Sequence, residues 1–180
     1  MSTVVNKTTF QVILSANTPE YDPNEWLINP DIPSIYDGNG DFVEYKPKRH
    51  WKIDGENLTL KNASEIASAD AEWLSQVKSN KKDDFKEELG EALRAKYTDD
   101  EKLSLLLILQ LAVASGNSAR VTYVSQLASW IDEGQELLYA AQDNVDLATS
   151  VEEVNAMELS LDAWLAADPQ VVIRTAKGIE

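Results

Sequence analysis

The chain has no cysteine and a single histidine, His50, and these two scarcities remove much familiar chemistry. Without thiols there is no disulfide and no thiolate nucleophile. With one histidine, a zinc site of the usual Cys/His type lacks ligands. His50 stands beside Arg49 in a segment read below as a hairpin arm, so it is expected to be structural rather than a general base. No Gly-x-Ser-x-Gly turn is present to expose a serine nucleophile. Of the seven glycines, Gly38 and Gly40 lie in an acidic turn that would repel phosphate rather than cradle it. The expectation is a non-enzymatic protein without cofactor or metal.

Basic residues are scarce as well. Sixteen Lys and Arg stand against 31 Asp and Glu, a net charge of −15. Such a surface repels a nucleic-acid duplex, whose binding relies on cations displacing counterions from phosphates. It disfavours anionic membranes for the same reason. Long hydrophobic runs are also missing. The most apolar stretch, residues 103–114, would rise only roughly 18 Å as a helix, short of a ~30 Å hydrocarbon core. It is read as a buried core helix, with no membrane span. The start, Met-Ser-Thr-Val-Val-Asn-Lys, is not expected to act as a signal peptide. At 43% hydrophobic and 26% charged residues, the composition is that of a globular protein, and 180 residues suffice for a core without staples.

What is present divides into two halves. Five of the six prolines (Pro19, Pro23, Pro30, Pro33 and Pro47) fall in the first 50 residues, which rules out a helical bundle there. Residues 8–14 read as a strand from their β-branched and aromatic content. A long irregular crossing follows over residues 15–34, with Trp26, Leu27 and Ile28 pinning it to the core. Residues 37–41 read as a turn rich in Gly, Asn and Asp. Asp37, Asn39 and Asp41 match the first three ligand positions of an EF-hand loop, but Phe42 replaces its glycine and Lys48 its bidentate glutamate, so a solvated turn is expected. The clearest β signal is residues 49–60. Trp51 and Ile53 alternate before Asp54-Gly55, and Leu58 and Leu60 after it, as in a hairpin whose apolar residues share one face.

From Asn62 the pattern becomes helical. Asn62 and Glu65, Thr98 and Glu101, and Ser150 and Glu153 each have capping-box spacing. The first box opens a stripe of Ile66, Trp73 and Val77, resumed by Phe85, Leu89 and Leu93 after a polar patch at residues 78–84. That patch leaves open one long helix or two, and is the best linker candidate. Gly116 is the expected stop of the 103–114 helix, and Ser118 the expected cap of the next, which Asp143 and Asn144 should end. The Ser150 box should start a helix carrying Val154, Met157, Leu161 and Leu165 up to Asp168-Pro169. Trp73, Trp130 and Trp164 are expected as core anchors. The fold class is therefore α+β: a small N-terminal antiparallel β head (1–60), then a mainly α-helical body (61–180) of three to five helices. The body carries 11 basic against 22 acidic residues.

With these residues laid out, the run Val4-Val-Asn-Lys-Thr-Thr9, then Asn17-Thr-Pro19, Asn24-Glu-Trp26, Ile28-Asn-Pro-Asp31 and His50-Trp-Lys-Ile53, resembles the start of small proteins of unassigned role encoded by phages and environmental viruses. The ending Ala167-Asp-Pro-Gln-Val-Val-Ile-Arg174 is similar to that of some members. Residues 36–45 depart from the pattern as an insertion before the Trp-Lys hairpin. The resemblance implies a virion or tail-apparatus protein, located in the particle and contacting other virion proteins or its own copies; it implies no catalytic residue. A looser similarity to phage tail-fibre assembly proteins implies the alternative of a chaperone that is not retained. Trp26, Leu27, Ile28 and Ile32, apolar and flanked by prolines, are the expected interface, because a solvated arm would be polar.

Overall fold

A computed structural model describes residues 2–97 and 99–170, without the side chains of Ser15 and of residues 99–106. Helix takes up 57% and strand 17%, with the strands preceding the long helices, so the class is α+β as expected. The chain forms two compact units, Met1–Trp73 and Leu74–Glu180.

In the first unit, β1 (Ser2–Asn6) is the middle of a three-stranded antiparallel sheet between β2 (Val12–Ala16) and β3 (Trp26–Ile28). Val4 pairs with Ile13 and Ile28, and Val5 with Val12 and Leu27. Both valines are fully buried. The expected strand at 8–14 thus lies later, at 12–16, and the expected irregular crossing contains a strand. Residues 7–9 are instead a turn, in which Asn6 Oδ1 accepts from the backbone N–H groups of Thr8 and Thr9 at 3.0 and 2.9 Å. Asn29 ends β3 with φ +50, which asparagine tolerates. It exchanges bonds with Thr3, donating N–H to Thr3 O at 2.7 Å and accepting on Oδ1 from Thr3 N at 2.9 Å.

A second ribbon pairs β4 (Ser34–Tyr36) with β5 (Phe42–Tyr45), and a third pairs β6 (Trp51–Asp54) with β7 (Asn57–Leu60). The third is the expected hairpin: Trp51 faces Leu60 and Ile53 faces Leu58. Its loop lies one residue later than Asp54-Gly55 suggested. Asp54 pairs with Asn57, leaving Gly55 and Glu56 as the loop, with Gly55 at φ +61. A Gly-X pair of this kind makes a type II′ turn. Trp51, Leu58, Val5 and Leu27 form the core of this unit, with Phe10, Val12, Ile32, Ile53 and Leu60 against it.

Helix α1 (Ala63–Lys96) is a single helix, so the polar patch at 78–84 is neither break nor linker. Its start is the full capping box: Glu65 N–H donates to Asn62 Oδ1 at 2.9 Å, and Asn62 N–H to Glu65 Oε2 at 2.7 Å. The patch has its partners within the second unit, to which it belongs. Lys78 Nζ donates to Asp146 O at 2.9 Å, and Lys82 Nζ pairs with the Asp146 carboxylate. Asp146 is in the last turn of α3 (Ser118–Leu147), where cations complement the helix dipole.

Helix α2 (Asp99–Ala114) ends at Gly116 as expected, with φ +65. Asn117 N–H bonds Ala112 O at 2.9 Å and Gly116 N–H bonds Val113 O at 3.2 Å, the paired bonds of a Schellman stop. The start expected at Thr98 lies outside the described residues. The cap of α3 is Asn117 rather than Ser118: its side chain accepts from Arg120 N–H at 3.2 Å. Nor does α3 stop at Asp143-Asn144; it runs to Leu147 because Val145 beyond them is fully buried. The segment opened by the Ser150 box is two short helices, α4 (Val151–Asn155) and α5 (Asp162–Ala166). Leu159 and Leu161 between them are both buried, and residues two apart on a helix point to opposite sides, so the chain leaves helical geometry to bury both.

The core of this unit centres on Trp130 and Trp164, whose rings stack in parallel at 4.2 Å. Each indole N–H donates to the other residue's carbonyl, at 2.7 and 2.6 Å. These two are core anchors as expected. Trp73 is not: it is 45% exposed, with the Arg49 guanidinium 5.9 Å from its ring centre. The expectation of a buried helix at 103–114 also fails for its described part. Ala112 is buried, but Leu107, Leu111 and Val113 are exposed.

Candidate interaction surface

The four residues expected at an interface separate by strand geometry. Side chains alternate along β3, so Leu27 points into the core and is 4% exposed, while Ile28 points outward and is 41% exposed. Trp26 is half-buried, edge-on to Tyr21 at 5.0 Å. Ile32 is half-buried against the core. Trp26, Leu27 and Ile28 line a concavity of about 170 Å³ with Lys7, Pro23 and Glu56. Lys7 Nζ is held there by the carbonyl of Pro23 at 2.7 Å.

Ile32 lines a second concavity of about 300 Å³ with Thr3, Pro30, Asp31, Ser34, Tyr36, Phe42 and Tyr45. Its aromatic wall is the β4–β5 ribbon. Tyr36 pairs with Phe42 across the strands, with ring centres 6.4 Å apart, and Phe42 meets Tyr45 at 5.1 Å. All three are exposed, as are Ile35 and Val43. The connecting turn is built by Asp37, whose Oδ1 accepts from the N–H groups of Asn39 and Asp41 at 2.9 and 2.8 Å. Those backbone donors hold the Asp37 carboxyl below its usual range. Asp37 Oδ1 is thus engaged by the N–H groups of its own turn. Among the described residues no group of three or more His, Cys, Asp or Glu is placed to hold a metal ion.

The sequence reading misses this ribbon because residues 37–41 read as a turn and residues 36–45 as an insertion. The signal was available: Ile35-Tyr36 and Phe42-Val43 flank a Gly/Asn-rich turn as two short β-prone runs.

No protein-family model, curated protein or solved structure matches the chain.

His50 sits in a polar cluster on the same unit. Its Nε2 lies 2.7 Å from Asp70 Oδ1, and Arg49 Nε meets that same oxygen at 2.5 Å. Asp70 is on the first turns of α1, so the cluster ties the hairpin to the helix start, together with Lys52 and Glu65 at 3.3 Å. The hydrogen bonds from His50 and then Arg49 hold the Asp70 carboxyl below its usual range. Through that one carboxylate oxygen Asp70 links Arg49 and His50 to α1.

Proposed function

We propose that this chain is a structural component of a bacteriophage particle, of the tail, fibre or neck apparatus, working through protein–protein contacts rather than catalysis. The observation that carries the interaction reading is the exposed aromatic face of Tyr36, Phe42 and Tyr45 over a concavity lined by Ile32. Contact surfaces are enriched in aromatic residues, and a monomer rarely leaves such a cluster in water without use. Exposed Ile28 and half-buried Trp26 add a second apolar edge on the same unit. The viral context draws on the resemblance of residues 4–75 and 157–174 to phage and environmental-virus proteins. Its partners are then other virion proteins or its own copies, and its location the virion.

The test is quantitative mass spectrometry of purified particles from the virus encoding the chain. A fixed stoichiometric ratio to known particle proteins is expected. Presence in infected cells together with absence from particles would replace this reading with that of an assembly chaperone.

A further inference from the structure

We propose that α2 is a self-association helix, which pairs with α2 of a second copy of this chain through Leu107 and Leu111. The proposal concerns the second unit and stands apart from the particle reading. Helix α2 packs on α3, and its residue Ala112 is 1% exposed. Leu107 and Leu111 are 60% and 65% exposed. Four residues apart, they lie one above the other on a face different from that of Ala112. A helix that is apolar on more than its packed face needs a second partner.

The chemistry of that partner follows from charge. Residues 103–119 contain no charged residue, seventeen consecutive positions in a chain where 26% of residues are charged. No described helix is long and apolar enough to cross a membrane. A bilayer surface is disfavoured too, because the stretch offers no cation to anionic headgroups and the chain carries −15. A charged partner would find no countercharge here. A second copy meets a different situation: elsewhere like charge repels like, whereas at this helix neutral surface meets neutral surface. A pair of leucines one turn apart is also self-complementary under two-fold symmetry, the arrangement that closes a homodimer.

Sedimentation equilibrium on the full chain at micromolar concentrations tests this, with circular dichroism as the folding control. The wild-type chain should sediment at about twice its 20.0 kDa mass. Leu107→Glu/Leu111→Glu should dissociate roughly 100-fold more readily, since two leucines per copy lose their burial and like charges are brought together. The milder Leu107→Ala/Leu111→Ala should weaken association with helix content unchanged. Raising salt from ~0.01 to ~0.15 M should tighten the wild-type dimer by screening the acidic remainder. A wild-type chain that stays monomeric, leucine variants that associate like wild type, or a dimer that salt loosens would each overturn the proposal.

Discussion

Alanine at position 134 would place its Cβ 2.5 Å from Cζ2 and 2.7 Å from Cε2 of Trp164. Helix propensity alone favours alanine over glycine inside a helix by roughly 1 kcal/mol. The indole cannot retreat freely, because it is stacked on Trp130 and tied by two buried N–H bonds. Overpacking costs typically ~1–3 kcal/mol, and each bond put at risk contributes ~1 kcal/mol. The clash should therefore outweigh propensity, and Gly134→Ala should destabilise by roughly 1–3 kcal/mol, or about 3–10 °C in Tm. Gly90 in α1 supplies the control. There a Cβ would meet only the tip of the Arg94 side chain, at 3.2 Å, which has room to swing away. Gly90→Ala should raise stability by roughly 0.5–1 kcal/mol. Urea and thermal unfolding followed by far-ultraviolet circular dichroism read both variants. Opposite signs are expected; a Gly134→Ala protein as stable as Gly90→Ala would refute the claim that Trp164 is pinned against the α3 backbone.

Ser150→Ala removes the side-chain acceptor that Glu153 N–H reaches at 3.1 Å and should cost roughly 0.5–2 kcal/mol in urea unfolding. Leu27→Ala should cost about 2–5 kcal/mol by opening a core cavity, whereas Ile28→Asp, one residue on, should leave the melting temperature almost unchanged and reduce binding to particles. The Asp70 carboxyl titrates below its usual range when folded, so its contribution is present above the ordinary aspartate range and is lost as pH falls through the depressed value. The stability gap between wild type and Asp70→Asn should accordingly close on acidification below about pH 4; a gap that widens there would contradict the ion pairing.

Local signals in the sequence proved to be the readable ones. The Trp51–Leu60 hairpin and the boxes at Asn62 and Ser150 depend on residues within a few positions of each other, and each was found. Strands β1 and β3 are short, and their reason to exist is pairing across the gap from Val5 to Leu27, which no window of sequence contains. The end of α3 was misplaced for a related reason: Asp143 and Asn144 are ordinary stop residues, but burial of Val145 carries the helix past them. Apolar content misled in α2, because hydropathy records what a residue prefers and not whether the chain supplies a partner. At the expected interface, the apolar run 26–28 was noticed as a unit. The strand alternation that puts Leu27 inside and Ile28 outside appears only once β3 is recognised.

The parallel stack of Trp130 and Trp164 has an optical consequence. Two indoles 4.2 Å apart and within 4° of parallel share their excited states, so their absorption and emission belong to the pair. Trp26, Trp51 and Trp73 lie in the first unit, and the stacked pair in the second. Changing those three to phenylalanine would leave a chain whose tryptophan fluorescence reports only on the stack. A slippage of α3 against α5 by an ångström or two would alter the colour and lifetime of that light before any helix unwinds.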